Sequence, residues 1–130
     1  MGKILIIEDN PSNAEMMIRI LEAAGHEVHH YIEGLKGAVA AREIRPDIIL
    51  MDFDLPDING RNLILVLHKQ LPNTAIIAVT AHVDANSEKM AKRFGSVDYI
   101  AKPFEPNRLL EAVDAQLNKN KFPEQNKPNS

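Results

Sequence analysis

Five short apolar runs alternate with amphipathic stretches along the chain, and this rhythm restricts the fold more than any other feature. Runs of four or five residues suit strands, and strands separated by helical periods build a parallel sheet, because a parallel connection needs a crossover. The runs are Ile4 to Ile7, Val28 to Tyr31, Ile48 to Met51, Ala75 to Val79 and Val97 to Ile100. The first, third and fourth are continuously apolar, as central strands covered on both faces must be. Val28-His29-His30-Tyr31 mixes polar positions into the run and reads as an edge strand.

Helical spacing fills the intervals: Met17, Ile20, Leu21 and Ala24, then Leu63, Val66, Leu67 and Leu71, then Leu109, Leu110, Val113 and Leu117. Asn10-Pro11 places a capping amide before a proline suited to a first helical turn, and Gly25 can end the first helix in a left-handed conformation. Two further helices, near Ala38-Val39 and near Met90, Ala91 and Phe94, have less sharply divided faces. At 130 residues the chain can bury one sizeable core, and the reading is a single α/β domain of five parallel strands and five helices over 1–118. From Asn118 the composition turns polar and proline-broken, so 119–130 is expected to be a flexible tail or the start of a linker.

Composition narrows the functional classes. No apolar run approaches the length a bilayer requires and no signal peptide is recognisable, so the expectation is a cytoplasmic protein. With no cysteine, a metal must be held by oxygen or histidine. A net charge of −3 provides no basic field for nucleic acid, which is not an expected partner.

In an open parallel sheet, ligands collect outside the carboxyl ends of the strands. The residues there are strongly polar: Glu8 and Asp9 after the first run, Asp52 and Asp54 after the third, Thr80 after the fourth and Lys102 after the fifth. Carboxylates converging at one place repel one another unless a cation neutralises them, which implies a metal. Oxygen-only ligands favour a hard ion, and a small cluster with room for water and phosphate suits Mg²⁺ better than Ca²⁺, with Mn²⁺ able to substitute. Lys102 adds a second positive charge, and Thr80 a hydroxyl that can donate to a phosphoryl oxygen.

These residues resemble the receiver domains of two-component response regulators. The resemblance covers about residues 3 to 118 and rests on Glu8-Asp9-Asn10, on Met51-Asp52 with Leu55-Pro56 and Gly60, on Thr80-Ala81, and on Lys102-Pro103-Phe104. It implies a doubly wound, flavodoxin-like sheet in the order 2-1-3-4-5. It further implies that Asp52 accepts a phosphoryl group from the phosphohistidine of a kinase or phosphotransfer protein. Asp9, Asp52 and the Asp54 main-chain carbonyl would hold the metal, with Glu8 acting through water, while Thr80 and Lys102 would hold the phosphoryl oxygens. The Lys102-Pro103 bond would be cis, Tyr99 would be the aromatic switch coupled to Thr80, and the face of helix 4, strand 5 and helix 5 would be the output. A monomer or weak dimer acting as a phosphorelay component, rather than a dedicated enzyme, is the picture that results. Nothing in this residue set is missing, which disfavours a degenerate receiver.

Residues two after the acceptor and two after the threonine, here Asp54 and His82, vary among receivers and affect how quickly the acyl phosphate hydrolyses. Both are titratable here. Simpler readings exist for several positions: Thr80 as a cap, Tyr99 as a partly buried edge residue, and His26, His29 and His30 as surface histidines. Two alternatives remain at this level. Asp52-Phe53-Asp54 also fits a phosphatase of the haloacid-dehalogenase type, although there the acidic metal pair follows the nucleophile, whereas Glu8-Asp9 precedes Asp52. The chain could also be the receiver module of a hybrid histidine kinase or larger regulator.

Overall fold

The computed structural model describes residues 2–82 and 84–121. The elements alternate strictly: β1 (Lys3–Ile7), α1 (Pro11–Ala23), β2 (Glu27–Tyr31), α2 (Gly34–Ile44), β3 (Ile48–Met51), α3 (Gly60–Gln70), β4 (Ala75–Thr80), α4 (Ala85–Phe94), β5 (Ser96–Ala101) and α5 (Pro106–Lys121). All five strands are parallel and lie in the order β2-β1-β3-β4-β5. The three continuously apolar strands are the three central ones, and the strand with polar positions is an edge, as the patterning requires.

Because successive strand side chains point to opposite faces, each central strand divides its residues between two cores. Leu5 and Ile7, Ile49 and Met51, and Ile76 and Ala78 pack under α2, α3 and α4. Ile4 and Ile6, Ile48 and Leu50, and Ile77 and Val79 pack under α1 and α5. Every one of these side chains is essentially inaccessible to water, and each large aliphatic among them contributes about 1.5–3 kcal/mol by its burial.

Helix ends follow from local chemistry. The Asn10 side chain accepts a hydrogen bond from the Asn13 N–H at 3.0 Å, with Pro11 in the first turn, and the chain leaves α1 through Gly25 at φ +93°. Asn59 and Asp84 cap α3 and α4 in the same manner.

Three details differ from the sequence reading. Val66 was assigned to the buried face of α3 but is 42% exposed, and Ile64 is buried in its place. At ~100° per residue the face through Gly60, Leu63, Ile64, Leu67 and Leu71 leaves Val66 roughly 110° from its centre. Helix α5 continues through residues 119–121, past the start assigned to the tail, while 122–130 lie outside the described residues. His26 is no surface histidine, being only 8% exposed, with Nδ1 accepting a hydrogen bond from the Gly2 N–H at 3.0 Å.

That bond requires the neutral ring, and burial holds the His26 pKa below the ordinary histidine value against the opposing pull of Asp114. Between its folded and unfolded pKa values the unfolded chain binds more protons, so stability rises with pH in that window. Urea unfolding is therefore expected to give a constant stability from about pH 7.5 upward and a loss below about pH 6.5. In His26→Gln that loss is expected to be smaller.

Candidate functional site

The sheet register assembles the site. Ile7 lies opposite Met51, so the next residues on the two strands, Glu8 and Asp52, emerge side by side at the carboxyl edge. The ladder continues one step further, with the Asp52 N–H donating to the Ile7 carbonyl at 3.2 Å. Thr80 lies opposite Ala101, which sets Lys102 at the same edge, and the Lys102 N–H donates to the Thr80 carbonyl at 2.9 Å. Four loops separated by up to 94 residues thus meet around one point.

At that point the Lys102 ammonium bridges the two carboxylates, donating to Glu8 Oε1 and to Asp52 Oδ2, the latter at 2.8 Å. Glu8 is 1% exposed, and its second oxygen accepts from the Asn10 N–H at 3.1 Å. Burial raises the Glu8 pKa, and the bonds to Lys102 and Asn10 work against that rise. Lys102 shows the reverse balance: burial would lower its pKa, but the bonds to Asp52 and Glu8 outweigh it and hold the ammonium above the ordinary lysine value. Asp52 Oδ1 accepts from the Asp54 N–H at 3.3 Å. The Lys102-Pro103 peptide is cis.

Asp9 is exposed at the rim, and one oxygen each from Glu8, Asp9 and Asp52 lie within 4.8 Å of one another. Three carboxylates against one ammonium leave two negative charges, which one divalent cation would balance. The donors are all hard oxygens and one of them faces water, so the set fits Mg²⁺ or Mn²⁺ with part of its hydration retained. Asp54, whose main-chain carbonyl was expected to complete the ligand set, follows in the same loop.

That loop is held from several sides. The Phe53 carbonyl accepts from the Leu55 and Gly60 N–H groups, and Asp54 forms a bridge with Asn59. A Cβ at position 60 would come within 2.3 Å of the Asp52 carbonyl oxygen and 2.6 Å of Phe53 Cα, which accounts physically for the glycine in the motif. The Asp57 carboxylate accepts from the Gly34 and Leu35 N–H groups at 2.8 Å each and so ties the loop to the first turn of α2.

Thr80 is fully buried, with Oγ1 accepting from the His82 N–H at 3.3 Å. His82 Nε2 lies 3.0 Å from both oxygens of Asp54, so the two positions named as rate-tuning touch each other across the mouth of the site. Phe53 stands between them and Tyr99, its ring centroid 5.8 Å from that of His82 and 6.0 Å from that of Tyr99. Tyr99 is half-buried against the core, its hydroxyl is enclosed without a hydrogen-bond partner among the described residues, and burial beside Asp84 and Glu88 raises its pKa.

Two contributors escaped the sequence reading. His30, taken as a surface histidine, is half-buried, and its Nε2 lies 2.8 Å from the Glu8 main-chain carbonyl. A carbonyl only accepts, so Nε2 carries the proton and the ring braces the acidic loop from the neighbouring strand. The signal was the sheet order itself, which sets the end of β2 beside the end of β1. The second is Arg61, whose guanidinium lies 5.1 Å from the centroid of the Phe53 ring and 3.5 Å from Ser87 Oγ. No local pattern distinguishes it from a solvated charge.

Residues 4–114 match the response regulator receiver domain, and the chain belongs to that family. It is a receiver domain of two-component response regulators, and this membership removes the haloacid-dehalogenase alternative. Among its relatives, the DNA-binding response regulator MtrA of Mycolicibacterium smegmatis is 35% identical over 118 residues, covering 91% of this chain and 51% of MtrA. The chain thus spans about half the length of that relative. Protein PilH of Pseudomonas aeruginosa is 34% identical over 119 residues, covering 90% of this chain and 98% of PilH. The crystal structure of a CheY-like receiver domain protein from Methanospirillum hungatei superposes with a TM-score of 0.86 at 30% identity, covering 93% of this chain and 97% of the other.

If His30 braces the acidic loop through its N–H, His30→Leu is expected to weaken Mg²⁺ binding about tenfold by calorimetric titration. His30→Gln, which retains a donor, is expected to recover most of that affinity.

Proposed function

We propose that Asp52 is the phosphoacceptor, taking a phosphoryl group from a phosphohistidine on a kinase or phosphotransfer protein in the cytoplasm. The observation that carries this reading is the Glu8–Lys102–Asp52 bridge: a carboxylate on a central strand end, almost buried and hydrogen-bonded by an ammonium 2.8 Å away. In the transfer, the phosphorus–nitrogen bond of the donor breaks as an Asp52 oxygen bonds to phosphorus. The leaving imidazole takes up a proton. Lys102 is placed to follow the charge from the carboxylate to the phosphoryl oxygens, and the Thr80 hydroxyl supplies a further donor.

Asp9 and Asp52, with the Asp54 carbonyl and with Glu8 through water, would hold Mg²⁺ or Mn²⁺. When bound, the ion supplies charge neutralisation for the phosphoryl group in flight and for the acyl phosphate that results. A groove of about 480 Å³ lined by Ser12, Glu15, Met16, Arg19, Ile20 and Pro106 opens between the starts of α1 and α5. It begins within a few residues of Asp9 and Lys102 and offers the donor protein a seat beside the acceptor.

The message leaves through α4, β5 and α5. Phosphorylation adds charge where Thr80 can meet it, and the enclosed Tyr99 hydroxyl, without a partner among the described residues, is free to change its contacts when Thr80 moves. The chain acts as a phosphorylation-gated relay or binding module and does not turn over small phosphate esters.

Two measurements test this reading. Asp52→Asn is expected to acquire no label from a phosphorylated kinase in the presence of Mg²⁺, and wild type without Mg²⁺ is expected to acquire little; label persisting on the Asn variant excludes Asp52 as acceptor. Because Asp54 and His82 act as one contact, Asp54→Asn and His82→Ala are expected to change the acyl-phosphate half-life by at least about twofold in the same direction. The double variant is expected to match the larger single effect rather than their product. Unchanged half-lives in both variants remove the pair from control of the lifetime.

A further inference from the structure

Four of the exposed large hydrophobic residues crowd together at one edge of the molecule: Tyr31 at the end of β2 (36% exposed), Ile32 (52%), and Leu35 (54%) and Val39 (48%) on α2. Tyr31, Leu35, Val39 and Ala40 line a groove of about 390 Å³, with Lys36 and Glu43 at its borders. Single exposed aliphatics are ordinary, but a contiguous apolar strip bordered by charge is the composition of a contact surface.

The order of the charges identifies the occupant. Lys36 and Glu43 are seven residues apart, two turns and about 10 Å along the helix, so they stand above one another on one face. Their midpoint falls between Val39 and Ala40. A second α2 laid antiparallel across the first, on a two-fold axis at that midpoint, would bring Lys36 of each copy against Glu43 of the other and Val39 onto the axis. The two charges are equidistant from this midpoint and opposite in sign, which is what lets one pair with the other's copy across an isologous interface. A different partner would place no such condition on them. Both charges are free to make the exchange: Lys36 is held only by an exposed pair with Glu33 at 3.1 Å, and Glu43 has no ion pair among the described residues. An exposed pair of this kind contributes little and offers little resistance.

We propose that two copies of this chain associate through α2 and the end of β2, antiparallel about a two-fold axis between Val39 and Ala40, with reciprocal Lys36–Glu43 pairs flanking an apolar centre. The surface is separate from the phosphoacceptor residues, and the inference does not depend on their roles.

Sedimentation equilibrium of the full chain from about 10 µM to about 1 mM tests it. The weight-average mass of wild type is expected to rise toward that of a dimer. Lys36→Glu and Glu43→Lys each replace two attractions by two repulsions, and each is expected to weaken association about tenfold. Mixing the two variants in equal amounts, or combining both substitutions in one chain, restores complementarity and is expected to restore association. Val39→Glu is expected to abolish it. All three positions are exposed, and unchanged thermal melts and unchanged phosphorylation by the kinase would establish that the variants fold. A wild type that stays monomeric throughout, association that survives Val39→Glu, or charge variants whose mixture associates no better than either alone would each overturn the proposal.

Discussion

Glu8 and Asp52 are forced together by the pairing of two buried central strands, β1 and β3, and the molecule must supply a cation between them. Neither carboxylate can move away, because each follows directly on a strand whose residues are sealed in both cores. Removing one member of such a buried charge group typically costs about 3–5 kcal/mol, since the charge left behind cannot reach water. Lys102 answers this locally and only in part: it satisfies two of the three clustered carboxylates and leaves Asp9 facing solvent. The residual negative charge is the reason the site is suited to a divalent ion, and the enclosed carboxylate supports the acceptor role proposed for Asp52. Both properties descend from the strand register.

The loop after β3 converts this point of charge into a mechanical junction. Its backbone is pressed against Gly60 at the start of α3, Asp57 fastens it to α2, and Asp54 reaches His82 on the approach to α4. One loop of eight residues between Met51 and Gly60 therefore touches α2, the start of α3 and the segment that leads into α4. A change in charge at Asp52 acts on a segment with few independent degrees of freedom, so its effect is handed on rather than absorbed. His30 performs the matching task for the loop after β1, through Glu8.

Features that depend on local chemistry or strict periodicity could be read from the chain directly. Strand alternation, the Asn10 cap and the left-handed Gly25 belong to this group, since each is decided by residues close in sequence, and the carboxyl-end cluster follows once the parallel sheet is read, because every strand ends at the same edge. Features decided by two distant side chains meeting could not. The His82–Asp54 contact joins positions 28 residues apart, and although both were singled out, nothing in either segment indicated that they touch. His26 and His30 looked alike as polar positions near an edge strand, yet a Gly2 N–H and a Glu8 carbonyl give each a different fixed partner. Val66 failed for a subtler reason: an i, i+3, i+4 pattern on α3 admits two overlapping faces, and only packing against the sheet selects the one through Ile64.

Among the described residues, the enclosed side-chain polar atoms that are not settled lie beyond Phe53. Arg61 Nε and the Tyr99 hydroxyl are both enclosed without a hydrogen-bond partner among the described residues, and groups left so typically cost about 1–3 kcal/mol each. They flank the same aromatic ring, and both face the first turn of α4, where Ser87 and Asp84 already bond to each other. Elsewhere the interior is aliphatic and close-packed, and shifting it would sacrifice contacts without compensation. Here a small displacement of α4 or Tyr99 can form a hydrogen bond that is now missing, which offsets part of the packing lost. A movement at the joint between the loop after β3 and α4 is therefore partly offset in a way that a shift of the aliphatic core is not.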